Sequence, residues 1–149
     1  MKSRRDFLLA AGSIVFASVA AGARATPAAM HEAVRKVAGD AEIRRGLVKL
    51  QIAPLIDNGN AVPLTVTVDS PMTPDNRVRA IHVFAEKNPL PNVLSVYFGA
   101  RAARARVVTR IRLADSQTVT AIAELSDGSF WSDAGDVVVT LSACLEDIV

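Results

Sequence analysis

Apolar residues recur at helical spacing in one short stretch after residue 25. From Ala28 to Val37, Met30, Ala33, Val34 and Val37 share one face while His31, Glu32, Arg35 and Lys36 lie elsewhere, the pattern of an amphipathic helix. Thr26 is placed to cap it, Pro27 to open it and Gly39 to stop it. From Gly46 onward the period shortens to that of strands separated by turn residues. Leu47 to Ile52 is the first run, and Pro54 to Asn60 reads as a turn through Asp57-Asn58-Gly59-Asn60. In Val62 to Val68, Leu64, Val66 and Val68 face one way and Thr65 and Thr67 the other, as in a half-buried strand. Val78 to Glu86, Val93 to Phe98, Arg104 to Leu113 and Thr118 to Leu125 follow. Pro89 and Pro91 make the loop after Lys87 rigid. Ser126-Asp127-Gly128-Ser129 is a hairpin signal, Phe130-Trp131 opens the last stretch, and Asp136 to Leu141 is the final strand.

Seven or eight short strands with no helix between them predict an all-β chain, an immunoglobulin-like antiparallel β-sandwich with a short N-terminal helix. The expected divisions are residues 26–45 for the helical segment, 46–141 for the sandwich and 142–149 for a C-terminal tail. No internal repeat or second domain interrupts this pattern.

Composition separates residues 1–25 from the rest. The 149-residue chain is 50% apolar and 21% charged, enough apolar surface for one ordinary core. Its isoelectric point is near 9.0 and its formal charge +2. Residues 1–25 contribute Lys2, Arg4, Arg5 and Arg24 against Asp6 alone. Without them 13 of 17 basic and 14 of 15 acidic residues remain, a net charge of −1, and a nucleic-acid partner is not expected. The basic n-region, the apolar run Phe7 to Ala23 and Ala23-Arg24-Ala25 form an export signal cut before Thr26, with an uncut anchor as the alternative. Ser3-Arg4-Arg5-Asp6-Phe7-Leu8 fits the twin-arginine signature, so the expected location is the periplasm, with no stable membrane association after cleavage.

The common self-contained chemistries are missing. No Cys/His spacing for zinc, no phosphate-binding glycine loop and no nucleophile elbow occurs. His31 falls on a helix face, and His82, within a strand, reads as a packed or surface residue. Asp69, Asp75 and Glu86 read as solvated. Arg104, Arg106, Arg110 and Arg112 read as the solvent face of a strand that also discourages edge pairing, with an anion-binding face as the alternative. Phe130 and Trp131 read as core plugs. Cys144, the single cysteine, stands apart. No internal disulfide is open to it, and it lies three residues beyond the last strand, where extended chain would carry the thiol up to about 10 Å clear of the sandwich.

Several segments together resemble the SoxY family, the sulfur-carrying subunit of the periplasmic Sox thiosulfate-oxidation system. They are Asn58-Gly59-Asn60-Ala61-Val62-Pro63, Val68-Asp69-Ser70-Pro71-Met72-Thr73, Ile81-His82-Val83-Phe84-Ala85-Glu86-Lys87-Asn88-Pro89, Thr109-Arg110-Ile111-Arg112-Leu113-Ala114 and Ser126-Asp127-Gly128-Ser129-Phe130-Trp131. The resemblance spans about Val48 to Leu141 and extends to the leader. It implies a carrier without a catalytic site of its own and without a cofactor, holding sulfur intermediates covalently on Cys144. It further implies a SoxZ-like partner chain and presentation in turn to SoxXA, SoxB and SoxCD-like enzymes.

The chain departs from the family where the sulfur would sit. The family arm reads Gly-Gly-Cys-Gly-Gly; here the end reads Ser142-Ala143-Cys144-Leu145-Glu146-Asp147-Ile148-Val149. Cys144 keeps its offset from the last strand, but the flanking glycines, which make such an arm narrow and flexible, are absent. Glu146 and Asp147 disfavour a thiolate and an anionic conjugate. Two readings follow: a carrier whose partners accept a bulkier arm, or a divergent paralogue that keeps an interaction role with Cys144 in an interchain disulfide or non-essential. A carrier-like partner of another periplasmic redox enzyme is a third.

Overall fold

The computed structural model describes residues 26–143 of the chain; residues 1–25, with the export-signal reading, and 144–149, with Cys144, lie outside the described residues. Helix α1 covers Pro27–Ala38. Nine strands follow: β1 (Ile43–Arg45), β2 (Val48–Ile52), β3 (Leu55–Asn58), β4 (Val62–Val68), β5 (Val78–Ala85), β6 (Asn92–Tyr97), β7 (Arg106–Ile111), β8 (Gln117–Leu125) and β9 (Phe130–Leu141). One sheet has the order β1-β9-β8-β5-β6, with β3 also on β9, and the second has the order β2-β4-β7. The two face each other as an immunoglobulin-like sandwich.

Period-two alternation decides which side chains fill the space between the sheets. Val62, Leu64, Val66 and Val68 from β4, Val107 and Ile111 from β7, Val119, Ala121 and Ala123 from β8 and Val137 and Val139 from β9 all point inward. A register shift between Val78 and Ala80 turns β5, so that Val78, Ile81 and Val83 join the core while Phe84 faces outward. Phe84, Ile122 and Phe130 meet Met30, Ala33, Val34, Val37 and Ala38 of α1, which covers that outer face. The helix begins and ends as its sequence predicts: the Thr26 hydroxyl accepts from the Ala29 amide at 3.1 Å, Pro27 opens it, and Gly39 closes it at a φ of 60°.

The last strand departs from expectation. It is one continuous run of 12 residues, begun at Phe130 rather than Asp136. A strand twice the usual length leaves a long free edge beyond β8. Two short parallel strands cover it: β1 pairs with Phe130, Trp131 and Ser132, and β3 pairs with Val138, Val139 and Leu141. Pro54 to Asn60 is therefore a strand followed by a single 3-10 turn at Gly59–Ala61, rather than a turn throughout. The hairpin at Ser126–Ser129 forms as predicted, with Gly128 at a φ of 81° and the Leu125 amide donating to the Ser129 carbonyl at 3.0 Å.

Candidate functional site

The described chain ends at Ala143, the residue before Cys144, so the site is defined by what holds its root. β9 is fastened along its final turns. The Val139 amide donates to the Ser116 hydroxyl at 2.9 Å, the Thr140 hydroxyl donates to the Asp57 carbonyl at 2.9 Å, and Leu141 pairs with Asn58. The attachment continues past the strand: the Ala143 amide donates to the Leu113 carbonyl at 3.1 Å, and Ala143 is buried. Ser142 and Ala143 are thus not free arm, and the three-residue reach read from the sequence shortens to the one peptide unit that joins Ala143 to Cys144.

Leu113 is bonded on both sides. Its carbonyl takes Ala143, its amide donates to the Gly59 carbonyl at 2.8 Å, and its side chain is fully buried in the sandwich core. Gly59 fits because it has no side chain. A Cβ there would stand 2.5 Å from the Leu113 carbonyl oxygen and 2.9 Å from the Ala143 nitrogen, distances no real Cβ tolerates. Behind Leu113, Asn88 donates to the Arg112 carbonyl at 2.8 Å and accepts from the Ala114 amide at 3.0 Å. Gln117 donates to Asn88 Oδ1 at 3.0 Å and to the Asp115 carbonyl at 2.9 Å, and accepts the Lys87 amide at 2.7 Å. Both amide side chains are buried, so their polar atoms require these partners.

The exposed side chains near the root carry both signs, Arg112 next to Leu113 and the carboxylates of Asp57 and Asp115 on the segments that hold it. Arg104, Arg106, Arg110 and Arg112 are exposed, as the alternation in β7 predicts, and among the described residues none of them is ion-paired with a carboxylate. Arg112 adjoins Leu113, the anchor of Ala143. Exposed guanidinium groups attract anions over a screening length without fixing them in place.

The histidines take no part in the root. His31 is exposed on α1. His82 is buried on the outer face of β5, with Nδ1 2.8 Å from the Ser95 hydroxyl, its ring edge-on to Tyr97 and Nε2 unpartnered. Burial pushes its pKa below the ordinary 6.5 while Glu124 opposes that shift. Asp69 and Asp75 are exposed, as read from the sequence, and Glu86 is partly so. Phe130 is buried under α1, and Trp131 packs half-buried against the inter-sheet core. Among the described residues no three His, Cys, Asp or Glu side chains gather as a metal site, and no helix is long and apolar enough to cross a membrane.

The described fold is a β-sandwich whose chain stays fastened past its last strand as far as Ala143, with the lone cysteine next in sequence. The sequence matches the family of sulfur oxidation protein SoxY over residues 34–144, and the chain belongs to that family. The match includes Cys144. No curated protein matches the chain. Among solved structures, the sulfur carrier protein SoxY from Chlorobium limicola f thiosulfatophilum is 22% identical, with a TM-score of 0.64 over 76% of this chain and 98% of that one. A superoxide reductase (neelaredoxin) from Ignicoccus hospitalis is 17% identical, with a TM-score of 0.56 over 63% of this chain and 80% of its own. The superoxide reductase from Nanoarchaeum equitans is 13% identical, with a TM-score of 0.55 over 64% and 100%. At these identities the likeness is one of fold.

Proposed function

We propose that this chain is a covalent sulfur carrier of a periplasmic sulfur-oxidation system, with Cys144 as the attachment point. The observation that carries the reading is that the family match runs through Cys144, directly after a root fixed to the sandwich by the Ala143–Leu113 bond. The thiolate is the reactive form. When the Cys144 sulfur joins the outer sulfur of thiosulfate, an S–S bond forms and two electrons leave to a SoxXA-like oxidant. Water then cleaves the S–SO3 bond on a SoxB-like enzyme, releasing sulfate and two protons and leaving a persulfide for a SoxCD-like enzyme. The carrier itself supplies no catalytic site or cofactor. A SoxZ-like chain is its partner, and residues 1–25 direct export by the twin-arginine route.

A second reading keeps the fold and drops the chemistry: a paralogue with an interaction role, its cysteine in an interchain disulfide or unused. Ala143 and Leu145 beside Cys144, where the family has glycine, favour it, as do Glu146 and Asp147. Intact-mass spectrometry of protein isolated without reductant from sulfur-metabolising cells, with peptide mapping, separates the two. Sulfane or thiosulfonate adducts on Cys144, lost in Cys144→Ser, are expected. A bare thiol or a protein–protein disulfide under every condition overturns the carrier reading.

A further inference from the structure

The buried polar pair Asn88 and Gln117 lies outside the sulfur chemistry, and the cost of burying two amide side chains calls for a structural return. Their bonds converge on one short stretch. Asn88 holds Arg112 and Ala114 by their backbone groups, and Gln117 holds Asp115 and Asn88 itself. Leu113, bracketed between them, keeps its own amide and carbonyl for Gly59 and Ala143. Gly59 closes the far side at a distance that excludes any Cβ. Three segments remote in sequence, around residues 59, 88 and 113, thus combine to hold the backbone of Ala143.

We propose that Asn88 and Gly59 form a clasp that sets where the cysteine-bearing segment leaves the sandwich, acting as positioning residues for Cys144. The inference rests on the reading of Cys144 as the functional thiol. With the clasp shut, the thiol stays within one peptide unit of the body. A partner whose reactive centre is recessed gains reach by opening the Ala143–Leu113 bond, and the lengths of Ser142 and Ala143 are then added to the arm. Closure fixes Ala143 and opening frees it, so the clasp sets the point from which the cysteine-bearing segment departs.

Hydrogen exchange on the full-length chain reads the clasp directly, and alkylation of Cys144 by iodoacetamide reads its effect on the thiol. In the unaltered protein the Ala143 amide exchanges at least about tenfold more slowly than an unstructured chain, as a bonded backbone group does. Gly59→Ala and Asn88→Ala each raise that rate roughly tenfold while the central amides of Val83 and Ile122 stay protected, and each changes the alkylation rate about threefold or more. Asn88→Asp keeps the acceptor for Ala114 and Gln117 but replaces the donor to the Arg112 carbonyl with an oxygen, so it raises the Ala143 rate at least as much as Asn88→Ala. Three results overturn the clasp: an Ala143 amide without protection in the parent, core amides accelerating in step with Ala143, or an alkylation rate indifferent to both alanine variants. Should Gly59→Ala not fold, the parent measurement and the Asn88 pair decide the matter. Absence of sulfur adducts alongside these exchange results overturns the carrier reading and leaves the clasp standing.

Discussion

The carboxylate of Asp133 accepts the backbone amide of Leu50 at 2.8 Å, joining positions 83 residues apart. Leu50 lies on β2, at the edge of the smaller sheet, and Asp133 lies on β9 of the larger one. The contact falls on the stretch of β9 left uncovered between β1 and β3. A side chain therefore does there what a strand does on either side, and it ties the two sheets together at their shared edge.

Asp133→Ala removes the acceptor and leaves a half-buried amide without a partner, which costs about 1–2 kcal/mol. Urea unfolding followed by circular dichroism measures the loss. Asp133→Asn retains an oxygen and is expected to lose less; equal losses in the two variants would show that the bond contributes nothing specific.

Phe84 is fully buried where β5 turns its outer face to α1, packed with Ile122 and Phe130. Phe84→Ala opens a cavity there and is expected to cost about 3–5 kcal/mol. Loosened packing under α1 is visible as faster amide exchange in the helix. A loss below about 1 kcal/mol would mean that the helix collapses onto the gap.

Stability is expected to fall with pH through His82. Its folded-state pKa is lowered from 6.5, mainly by burial. The unfolded chain therefore takes up a proton at a pH where the folded chain does not, so the contribution is whole above about pH 6.5 and is lost as pH falls toward the folded-state value. The urea midpoint between pH 7.5 and 5 should drop more steeply in the parent than in His82→Phe. Parallel pH profiles for the two proteins would contradict this.

Arg110 and Arg112 are expected to draw anions toward the thiol. Arg110→Glu with Arg112→Glu slows the reaction of Cys144 with a dianionic aromatic disulfide severalfold at low ionic strength, and slows its reaction with neutral iodoacetamide less, because the neutral reagent registers only the smaller thiolate fraction. The difference shrinks as salt shortens the screening length. Slowing by the same factor with both reagents would point to altered access instead of charge.

Much of the fold is legible in the sequence because its signals are local. Thr26, Pro27 and Gly39 mark the helix, the alternation from Val62 to Val68 and along β7 marks the strand faces, and the Gly128 turn marks a hairpin. The short strands β1 and β3 are not legible, because three or four residues carry no period and pairing comes from a neighbour's exposed edge. Cys144 is singled out by its solitude and its offset from the last strand. Asn88 is visible only as part of a proline-flanked loop, and Gly59 only as part of a turn, because what each touches is distant in sequence.

The sequence by itself determined the helix, the strands long enough to carry a period, the sandwich class, the family and the place of the one cysteine after the last strand. Only the tertiary structure decided that β9 is a single long strand with two parallel companions, and that the chain stays fastened through Ala143. Periodicity is written by each residue's immediate neighbours along the chain. The fastening of Ala143 brings together backbone groups of Gly59 and Leu113 and the side-chain amide of Asn88, which meet only in the folded sandwich.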